Sequence, residues 1–384
     1  MKKRWFTKQK LIGISVIFIC LMLSFCMHLI RDKWIGEQQA QLAAERWKEE
    51  GGVSQVSCFF SKQAEVTEFQ LMGFEHTLDN VLKEASITLE SENEGARLWA
   101  DCYSATGNIS VSSERTSLYL KAMGVGGDFF QFHPQDLEYG NYFSGRDINS
   151  DYIVIDEETA WQLYGGIDVS GKFVTIGGRP HMIAGVIKRP QGKMEKAAGL
   201  SDSIVYVSMN TLENYGQSDG INHYEIVMPN PIKQFAMQTV MENLGVDERE
   251  VIYVENTGRF NIQKSLQILL QYGYRSMNGR AIIFPYWENL ARGCEDKLAL
   301  VTLIYVIGLV IPALIAFFWA IHAWRHKGWT FGTVVRKGSD FIYKLQSDRM
   351  VKKQNKKSKK SKERKERAPI RVIFEEEEEN EEKK

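Results

Sequence analysis

The chain has 384 residues, a formal net charge of zero, 44% hydrophobic residues and 25% charged residues. This ordinary composition excludes a chain that is disordered throughout. The zero net charge is an average over unlike segments, because residues 349–367 are strongly basic and residues 375–382 are strongly acidic.

Two apolar runs without Asp, Glu, Lys or Arg lie at 11–30 and 298–322. At about 1.5 Å rise per residue, twenty helical residues cover about 30 Å, the thickness of a bilayer's hydrocarbon core. Both runs are therefore predicted to be transmembrane helices. Basic residues flank them at 1–10 and after 322, so the positive-inside rule predicts a two-pass protein of the cell membrane with both termini cytoplasmic and residues 31–297 extracytoplasmic. A cleaved signal peptide is the alternative for the first run.

Residues 36–50 are rich in helix formers and, joined to the first run, predict a helical stalk over 31–50 that ends at Gly51-Gly52. Residues 51–283 have a globular composition and are long enough for one large domain or two small lobes. Helical apolar spacing predicts a helix at 71–83. Short alternating segments then predict strands at 86–90, 97–104 and 117–125.

The clearest pattern is at 151–187. A strand at 152–155 precedes Asp156, which is a suitable N-cap for a helix through Leu163. The strands predicted at 172–176 and 180–187 flank Gly177-Gly178, a pair typical of a tight hairpin turn. Because a hairpin requires antiparallel strands, the pattern favours an α+β fold with a mixed sheet over a purely parallel one.

Further along, strands are predicted at 203–209, 223–229 and 251–256, with helices at 231–244 and 259–272. Residues 284–297 form an aromatic, amphipathic juxtamembrane segment, in which Tyr286 and Trp287 suit the membrane interface. The tail at 323–384 is predicted to be cytoplasmic, charged and disordered. Its basic block could bind anionic membrane lipids. We expect no nucleic-acid partner, because no aromatic residue interleaves the basic block.

Chemistry-bearing residues are sparse in the predicted outer segment. Cys58 and Cys102 could form one disulfide in an oxidising compartment, although the sequence does not give their distance. The spacing of cysteines and histidines matches no zinc or other metal motif. The four outer histidines, for which we expect structural roles, are His76, His133, His181 and His223.

Two further groups of residues allow two interpretations each. The carboxylates Asp156, Glu157 and Glu158 could act in acid–base chemistry, but a helix cap explains them more simply. An aromatic cluster could line a ligand groove or, more often, form part of the core. Its members are Phe129, Phe130, Phe132, Tyr139, Tyr142 and Phe143. We therefore predict no catalytic residue, no cofactor and no enzymatic activity.

The strand–helix–hairpin stretch carries a family resemblance. The residues that carry it are Ala160, Leu163, Gly165-Gly166, Asp168, Gly171-Lys172, Gly177-Gly178 and Ala184-Gly185-Val186, preceded by the run 123–148. Over about residues 50–260 the pattern resembles the periplasmic core domain of MacB-like ABC transporter permeases. That family is expected to carry further spans in an FtsX-like permease region, whereas this sequence shows one span after the domain. It also lacks a Walker motif.

The resemblance implies a non-catalytic, permease-like subunit of an ABC-type export or cell-envelope assembly. Its outer domain would bind a substrate or partner proteins, and an ABC-type ATPase and a multi-span permease would be supplied by other chains. Homo- or hetero-oligomers through the spans and outer domain are also compatible with it. The alternative is an FtsX-like membrane scaffold or signal transmitter that regulates a cell-wall enzyme without transport.

Overall fold

A computed structural model describes residues 2–48, 52–88, 96–147, 151–275, 282–325, 335–336, 338–347, 349–350 and 352. The chain divides into two units, Met1–Pro312 and Ala313–Lys384. The helices are α1 (Lys2–Gly36), α2 (Ala43–Trp47), α3 (Glu68–Glu84), α4 (Phe129–Phe132), α5 (Glu157–Tyr164), α6 (Lys193–Glu195), α7 (Met209–Tyr215), α8 (Phe235–Asn243), α9 (Ile262–Arg275) and α10 (Tyr286–Arg325). The strands are β1 (Val53–Phe60), β2 (Ala100–Ser112), β3 (Ser117–Gly127), β4 (Leu137–Gly140), β5 (Tyr152–Asp156), β6 (Phe173–Ile176), β7 (Arg179–Ile187), β8 (Ile204–Ser208), β9 (Gln217–Pro229) and β10 (Val251–Glu255).

The ten described strands form a single mixed sheet in the order β10-β1-β9-β2-β3-β8-β5-β7-β4, with β6 beside β7 and the end of β2. The pairs β3–β8 and β5–β7 are parallel, and the other pairs are antiparallel. The predicted α+β class with a mixed sheet is confirmed. Of the two arrangements that the sequence allowed, the structure has one continuous sheet.

Each face of the sheet carries its own apolar layer. One face packs against α3, α5, α7 and α8, whose inward residues include Phe74, Leu163, Leu212 and Val240. The other face packs against α2, α4 and the first turn of α10, with Phe129, Tyr206 and Trp287 at its centre. The start of α10 is therefore part of the domain core.

Local signals in the clearest stretch are confirmed. The Asp156 side chain accepts a hydrogen bond from the Thr159 backbone N–H at 2.8 Å and caps α5. Gly177 and Gly178 have φ values of 56° and 80° and form the turn between β6 and β7. Positive φ at both central positions matches the right-handed twist of a two-residue hairpin, and glycine adopts it at little cost.

The predicted helical stalk at 31–50 consists of three separate helical pieces. Helix α1 ends at Gly36, a single 3-10 turn follows at Gln39–Gln41, and α2 is only five residues long. The buried Gln55 side chain accepts the Ala43 backbone N–H at 2.8 Å and so helps to hold this bent segment against β1. The segment packs on the domain instead of standing away from it.

Three other expectations need correction. The helix placed at 231–244 begins at Phe235, after a turn that contains Pro231. Of the strand predicted at 86–90, residues 86–88 are not in a strand, and residues 89–90 lie outside the described residues. The charged tail is helical at 338–347, whereas most of its basic block and all of its acidic block lie outside the described residues.

Two helices are long and apolar enough to cross a membrane, over Lys10–Gly36 and Tyr286–Arg325. They contain the two predicted spans. The second helix, α10, also includes residues 286–297 of the juxtamembrane segment 284–297 and continues without a break into the apolar run. Trp287, which the sequence placed at the membrane interface, is instead 4% exposed and packs in the domain core.

Candidate functional site

A buried arginine joins the sheet to the start of α10. Arg259 follows β10 and is 6% exposed. Its Nη1 and Nη2 donate to the two carboxylate oxygens of Glu288 at 2.7 and 2.9 Å, and its Nε donates to Glu295 Oε1 at 2.6 Å. Glu288 and Glu295 lie on α10, seven residues or about two turns apart, so one planar guanidinium reaches both.

The arginine is also fixed from the domain side. Its Nη1 donates to Asn256 Oδ1 at 3.1 Å, and Arg292 Nε donates to Glu288 Oε1 at 2.7 Å. Burial by itself would lower the pKa of Arg259, but Glu288 and Glu295 raise it above its usual range. The guanidinium is therefore charged at every physiological pH. We refer to Asn256, Arg259, Glu288 and Glu295 as the arginine cluster.

The outer end of α1 meets the same region. Arg31 donates to the backbone oxygen of Phe260, one residue after Arg259. The Cys294 thiol on α10 lies 3.8 Å from the Trp34 carbonyl oxygen, which it contacts as a weak donor. Both apolar helices are thus attached to the segment that follows β10.

Deeper along the two helices, α1 and α10 touch at small residues. Ser24 Oγ donates to the Tyr305 carbonyl oxygen at 3.1 Å. A Cβ added to Gly308 would lie 2.3 Å from Ser24 Oγ, closer than any real contact. This close approach favours glycine at position 308, as is typical of helix pairs in membranes.

A second buried polar group lies on the sheet face beneath Trp287. Glu225 on β9 is directly opposite Cys102 on β2, and His223 is two residues before it on the same face. His133, from the turn after α4, lies above them. His133 Nε2 is 3.0 Å and His223 Nε2 is 3.3 Å from Glu225 Oε2. We refer to Cys102, His133, His223 and Glu225 as the histidine cluster.

The two carboxylate oxygens of Glu225 have different surroundings. Oε1 accepts from Gln55 Nε2 at 2.5 Å, Ser57 Oγ at 2.6 Å and Asn256 Nδ2 at 3.0 Å. Oε2 faces the two imidazoles, yet neither ring makes a well-aligned hydrogen bond to it. Asn256 belongs to the arginine cluster as well, so the two buried clusters are in contact.

Burial and neighbouring charges set the protonation states. Burial by itself would raise the pKa of the Glu225 carboxyl, but the imidazoles of His133 and His223 hold that pKa well below its usual range. Burial lowers the pKa of His133 and raises the pKa of the Cys102 thiol. Near neutral pH the carboxyl is therefore ionised, His133 is neutral, and the thiol holds its proton.

The rings around His133 hold it in place. Its ring centroid is 4.1 Å from that of Trp287 and 4.8 Å from that of Phe129. A cleft of about 210 Å³ opens beside it, with Gln135, Leu200 and Trp287 among the lining residues. The cleft connects the histidine cluster to the surface near the outer ends of α1 and α10.

The structure brings together only some of the residues selected from the sequence. His133, His223 and Cys102 meet, whereas His181 is buried elsewhere and its Nε2 is 3.3 Å from Thr211 Oγ1. Of the aromatic cluster, Phe129, Phe130, Phe132 and Phe143 are core residues, as the simpler interpretation predicted. Asp156 is a helix cap.

The disulfide that the sequence left open is not formed in the structure: Cys58 and Cys102 are both free, buried thiols. They lie on β1 and β2, which are separated by β9, and they belong to the apolar layers on opposite faces of the sheet. Two strand spacings amount to about 10 Å, beyond the Cα separation of about 7 Å that a bridge tolerates.

Comparisons with known proteins give the family of the outer domain. Residues 72–244 match the family model described as MacB-like periplasmic core domain. The periplasmic region of MacB from Actinobacillus actinomycetemcomitans is 14% identical over 59% of this chain and 95% of that one, with a TM-score of 0.35. The extracellular domain of the noncanonic ABC-type transporter YknZ from Gram-positive bacteria is 17% identical over 52% of this chain and 99% of that one, with a TM-score of 0.34.

No curated protein sequence matches the chain at a significant level. The family match runs from within α3 to the residue after α8, so it includes β2 to β9 but not β1 or β10. The helices that could span a membrane flank it on both sides. The resemblance found in the sequence is thereby confirmed. Residues 72–244 are a MacB-like periplasmic core domain, the type of outer domain found in ABC transporter permeases.

Proposed function

We propose that the chain is a non-catalytic, permease-like membrane subunit of an ABC-type export or cell-envelope assembly. Its outer domain binds a substrate or a partner protein, and the arginine cluster transmits the resulting movement to the two helices. The observation that carries this proposal is the buried ion pairing of Arg259 with Glu288 and Glu295 on α10. It attaches a MacB-like core domain directly to a helix long enough to span a membrane.

The apolar surface of the two helices supports a membrane location. Leu11, Ile12, Phe18 and Ile19 on α1 are each more than 60% exposed. Exposed apolar area costs about 25 cal/mol per Å² in water, so a lipid environment suits this surface better than an aqueous one. We further propose that both termini are cytoplasmic and that residues 31–297 are extracytoplasmic, as the flanking basic residues favour.

The orientation is testable with single reporter fusions. A reporter that is active only outside the cytoplasm should be active when inserted at Gly178 and inactive when placed after residue 325. A fluorescent reporter that folds only in the cytoplasm should show the reverse pattern. Activity of the first reporter at both positions would mean that α10 does not cross the membrane.

The assembly is testable by purification of the full chain in a mild detergent, with bound partners identified by mass spectrometry. We expect an ABC-type ATPase and a multi-span permease in near-stoichiometric amounts. The same preparation from cells that express the Arg259→Met variant should retain the ATPase and the permease if these partners contact the spans. Recovery of a cell-wall hydrolase instead would support the scaffold alternative, and recovery of the chain alone would contradict the proposal.

A further inference from the structure

We propose that the histidine cluster is a closed binding site for one divalent transition-metal ion of the zinc class, with Cys102, His133, Glu225 and His223 as its donors. This site goes beyond the proposed transport role and does not depend on it. None of the four residues lies in a sequence motif for metal binding, because strand pairing and the turn after α4 bring them together.

The donor atoms lie at nearly the right separations. One donor atom each of Cys102, His133 and Glu225 falls within 4.8 Å of the other two. His223 lies outside this group of three, but its Nε2 is 3.3 Å from the Glu225 oxygen that also faces His133, so its ring has to move toward the other donors to supply the fourth ligand. In tetrahedral zinc sites, bond lengths of about 2.0–2.3 Å place neighbouring donors about 3.4–3.6 Å apart. The side chains therefore have to move closer together before one ion can bind all four.

The hydrogen bonding of the cluster is incomplete without an ion. Both ring nitrogens of His133, His223 Nε2 and Glu225 Oε2 are buried without a well-aligned hydrogen bond to any described residue. Buried polar atoms without hydrogen-bond partners are uncommon in folded proteins, and four in one place are unusual. The other Glu225 oxygen accepts three hydrogen bonds, which is how outer residues orient a metal-binding carboxylate.

The charges and the types of donor select the ion. An ionised Glu225 beside a neutral His133 leaves a buried negative charge, and a divalent ion that also binds the Cys102 thiolate gives a site of zero net charge. Thiolate and imidazole donors favour zinc-class ions over Mg²⁺ or Ca²⁺. Four protein donors leave no open position, which is typical of a structural site. The ion displaces the Cys102 proton into solvent, so its affinity rises with pH.

The site would also fix the ring on which α10 rests. His133 lies between Trp287 of α10 and the carboxylate of β9, so a bound ion would hold the three together. The cleft beside His133 gives the ion a path from the surface. Metal occupancy would therefore change how firmly the first turn of α10 is attached to the sheet.

The test uses the full chain in detergent with an affinity tag that contains no histidine. The protein is stripped with a chelator, reloaded with Zn²⁺, and its metal content is measured by mass spectrometry. We expect one zinc per chain in the wild type and in Cys58→Ser, a buried cysteine on the opposite face. Cys102→Ser and His133→Gln should weaken binding by more than about 100-fold, beyond the loss typical of outer residues. His181→Gln, a buried histidine elsewhere in the fold, should bind as the wild type does.

Cobalt provides a second measurement that does not require the donor variants Cys102→Ser and His133→Gln to fold. Wild-type protein and Cys58→Ser loaded with Co²⁺ should show a thiolate-to-metal charge-transfer band and the intense visible bands of tetrahedral coordination. Absence of both bands from the wild type would overturn the proposal, as would a wild type that binds no zinc. Equal zinc affinity in folded Cys102→Ser and Cys58→Ser would also overturn it. The cluster would then be a histidine–carboxylate ion pair alone.

Discussion

The arginine cluster and the histidine cluster are both buried beside the first turn of α10, and they share Asn256, yet their bonding differs. Every nitrogen of the Arg259 guanidinium donates to an oxygen, and two carboxylates compensate its charge. In the histidine cluster, two imidazoles lie at bonding distance from one carboxylate oxygen but are poorly aligned with it. The fully hydrogen-bonded arginine cluster holds α10 to the segment after β10 by itself. The histidine cluster needs a proton or a metal ion to complete its bonding.

The difference in bonding gives the two clusters different roles: one attaches α10 to the domain, and the other responds to pH or metal ions. Breaking a buried charge pair that is fully hydrogen-bonded leaves an isolated charge, which is costly. Groups that lack well-aligned partners respond to protons or metal ions, because either can satisfy them. We therefore expect the arginine cluster to contribute to stability at every pH. We expect the histidine cluster to determine how stability depends on pH and on metal-ion concentration.

The largest effect is expected from Arg259→Met. It leaves Glu288 and Glu295 buried without their common partner and should lower the free energy of unfolding by about 3–5 kcal/mol. Urea titration of the full chain in detergent, followed by tryptophan fluorescence, measures this. The matched control is Arg249→Met, because Arg249 forms an exposed pair with Asp247 and should change stability by less than about 0.5 kcal/mol. Equal effects of the two substitutions on the free energy of unfolding would contradict the role of the arginine cluster in attaching α10.

The second effect concerns pH in the histidine cluster. Burial lowers the pKa of His133 below its ordinary value of 6.5. The unfolded chain then binds a proton below pH 6.5 that the folded chain does not, so stability is fully present above pH 6.5 and falls as the pH drops below it. Each unit of lowered pKa corresponds to about 1.4 kcal/mol.

We therefore expect His133→Gln to show a shallower loss of stability below pH 6.5 than the wild type. The measurement is the same urea titration at a series of pH values, with a chelator present so that metal binding adds no pH dependence of its own. Identical slopes for the variant and the wild type would show that His133 is not kept neutral by burial.

A carboxyl pair on the other face of β2 should act in the opposite direction. Burial, together with the nearby Asp101, raises the pKa of Glu75 to about 7. The folded chain then binds a proton between about pH 4.5 and 7 that the unfolded chain does not, so stability falls as the pH rises through that range.

The expected result is that Glu75→Gln stabilises the protein modestly at pH 8 and has little effect at pH 4.5. Glu84→Gln, an exposed carboxyl on the same helix, is the control. Glu75→Gln also removes the pH dependence of stability that Glu75 contributes, which opposes that of His133. Comparing stability–pH profiles of the wild type and Glu75→Gln therefore separates the contribution of the histidine cluster. A destabilised Glu75→Gln at pH 8 would contradict the raised pKa.

The smallest effect is expected where α1 and α10 touch. Ser24→Ala removes one hydrogen bond between the helices, to the Tyr305 carbonyl. Such bonds contribute about 0.6 kcal/mol in membrane proteins. Ser15→Ala, on an exposed part of α1, is the control. A loss as large as that of Arg259→Met would place the main attachment between the helices and not at the arginine cluster.

Features that short-range chemistry specifies were predictable from the sequence. The Asp156 cap, the Gly177-Gly178 turn and the strand on each side of it depend on residues a few positions apart. Both apolar helices were predictable for the same reason. Strand β1 was missed because Ser54, Gln55 and Ser57 interrupt its apolar pattern, yet all eight residues of the strand are buried.

The two clusters could not be predicted, because each depends on contacts across the fold. Cys102, His133 and Glu225 come from β2, the turn after α4 and β9, and only the strand register brings them together. Arg259 follows a strand that was predicted, but nothing in its neighbourhood indicates that α10 supplies its partners. One signal was available in the sequence: Glu288 and Glu295 lie seven residues apart, on one face of a helix that leads into an apolar run.

The two buried thiols on opposite faces of the sheet give each apolar layer its own chemical probe. A reagent reaches Cys102 only when the layer that contains Trp287 opens, and it reaches Cys58 only when the layer under α3 and α8 opens. If labelling is slow compared with reclosing, each rate measures the opening free energy of its own layer. A ligand or partner that loosens only the attachment of α10 would accelerate Cys102 and leave Cys58 unchanged.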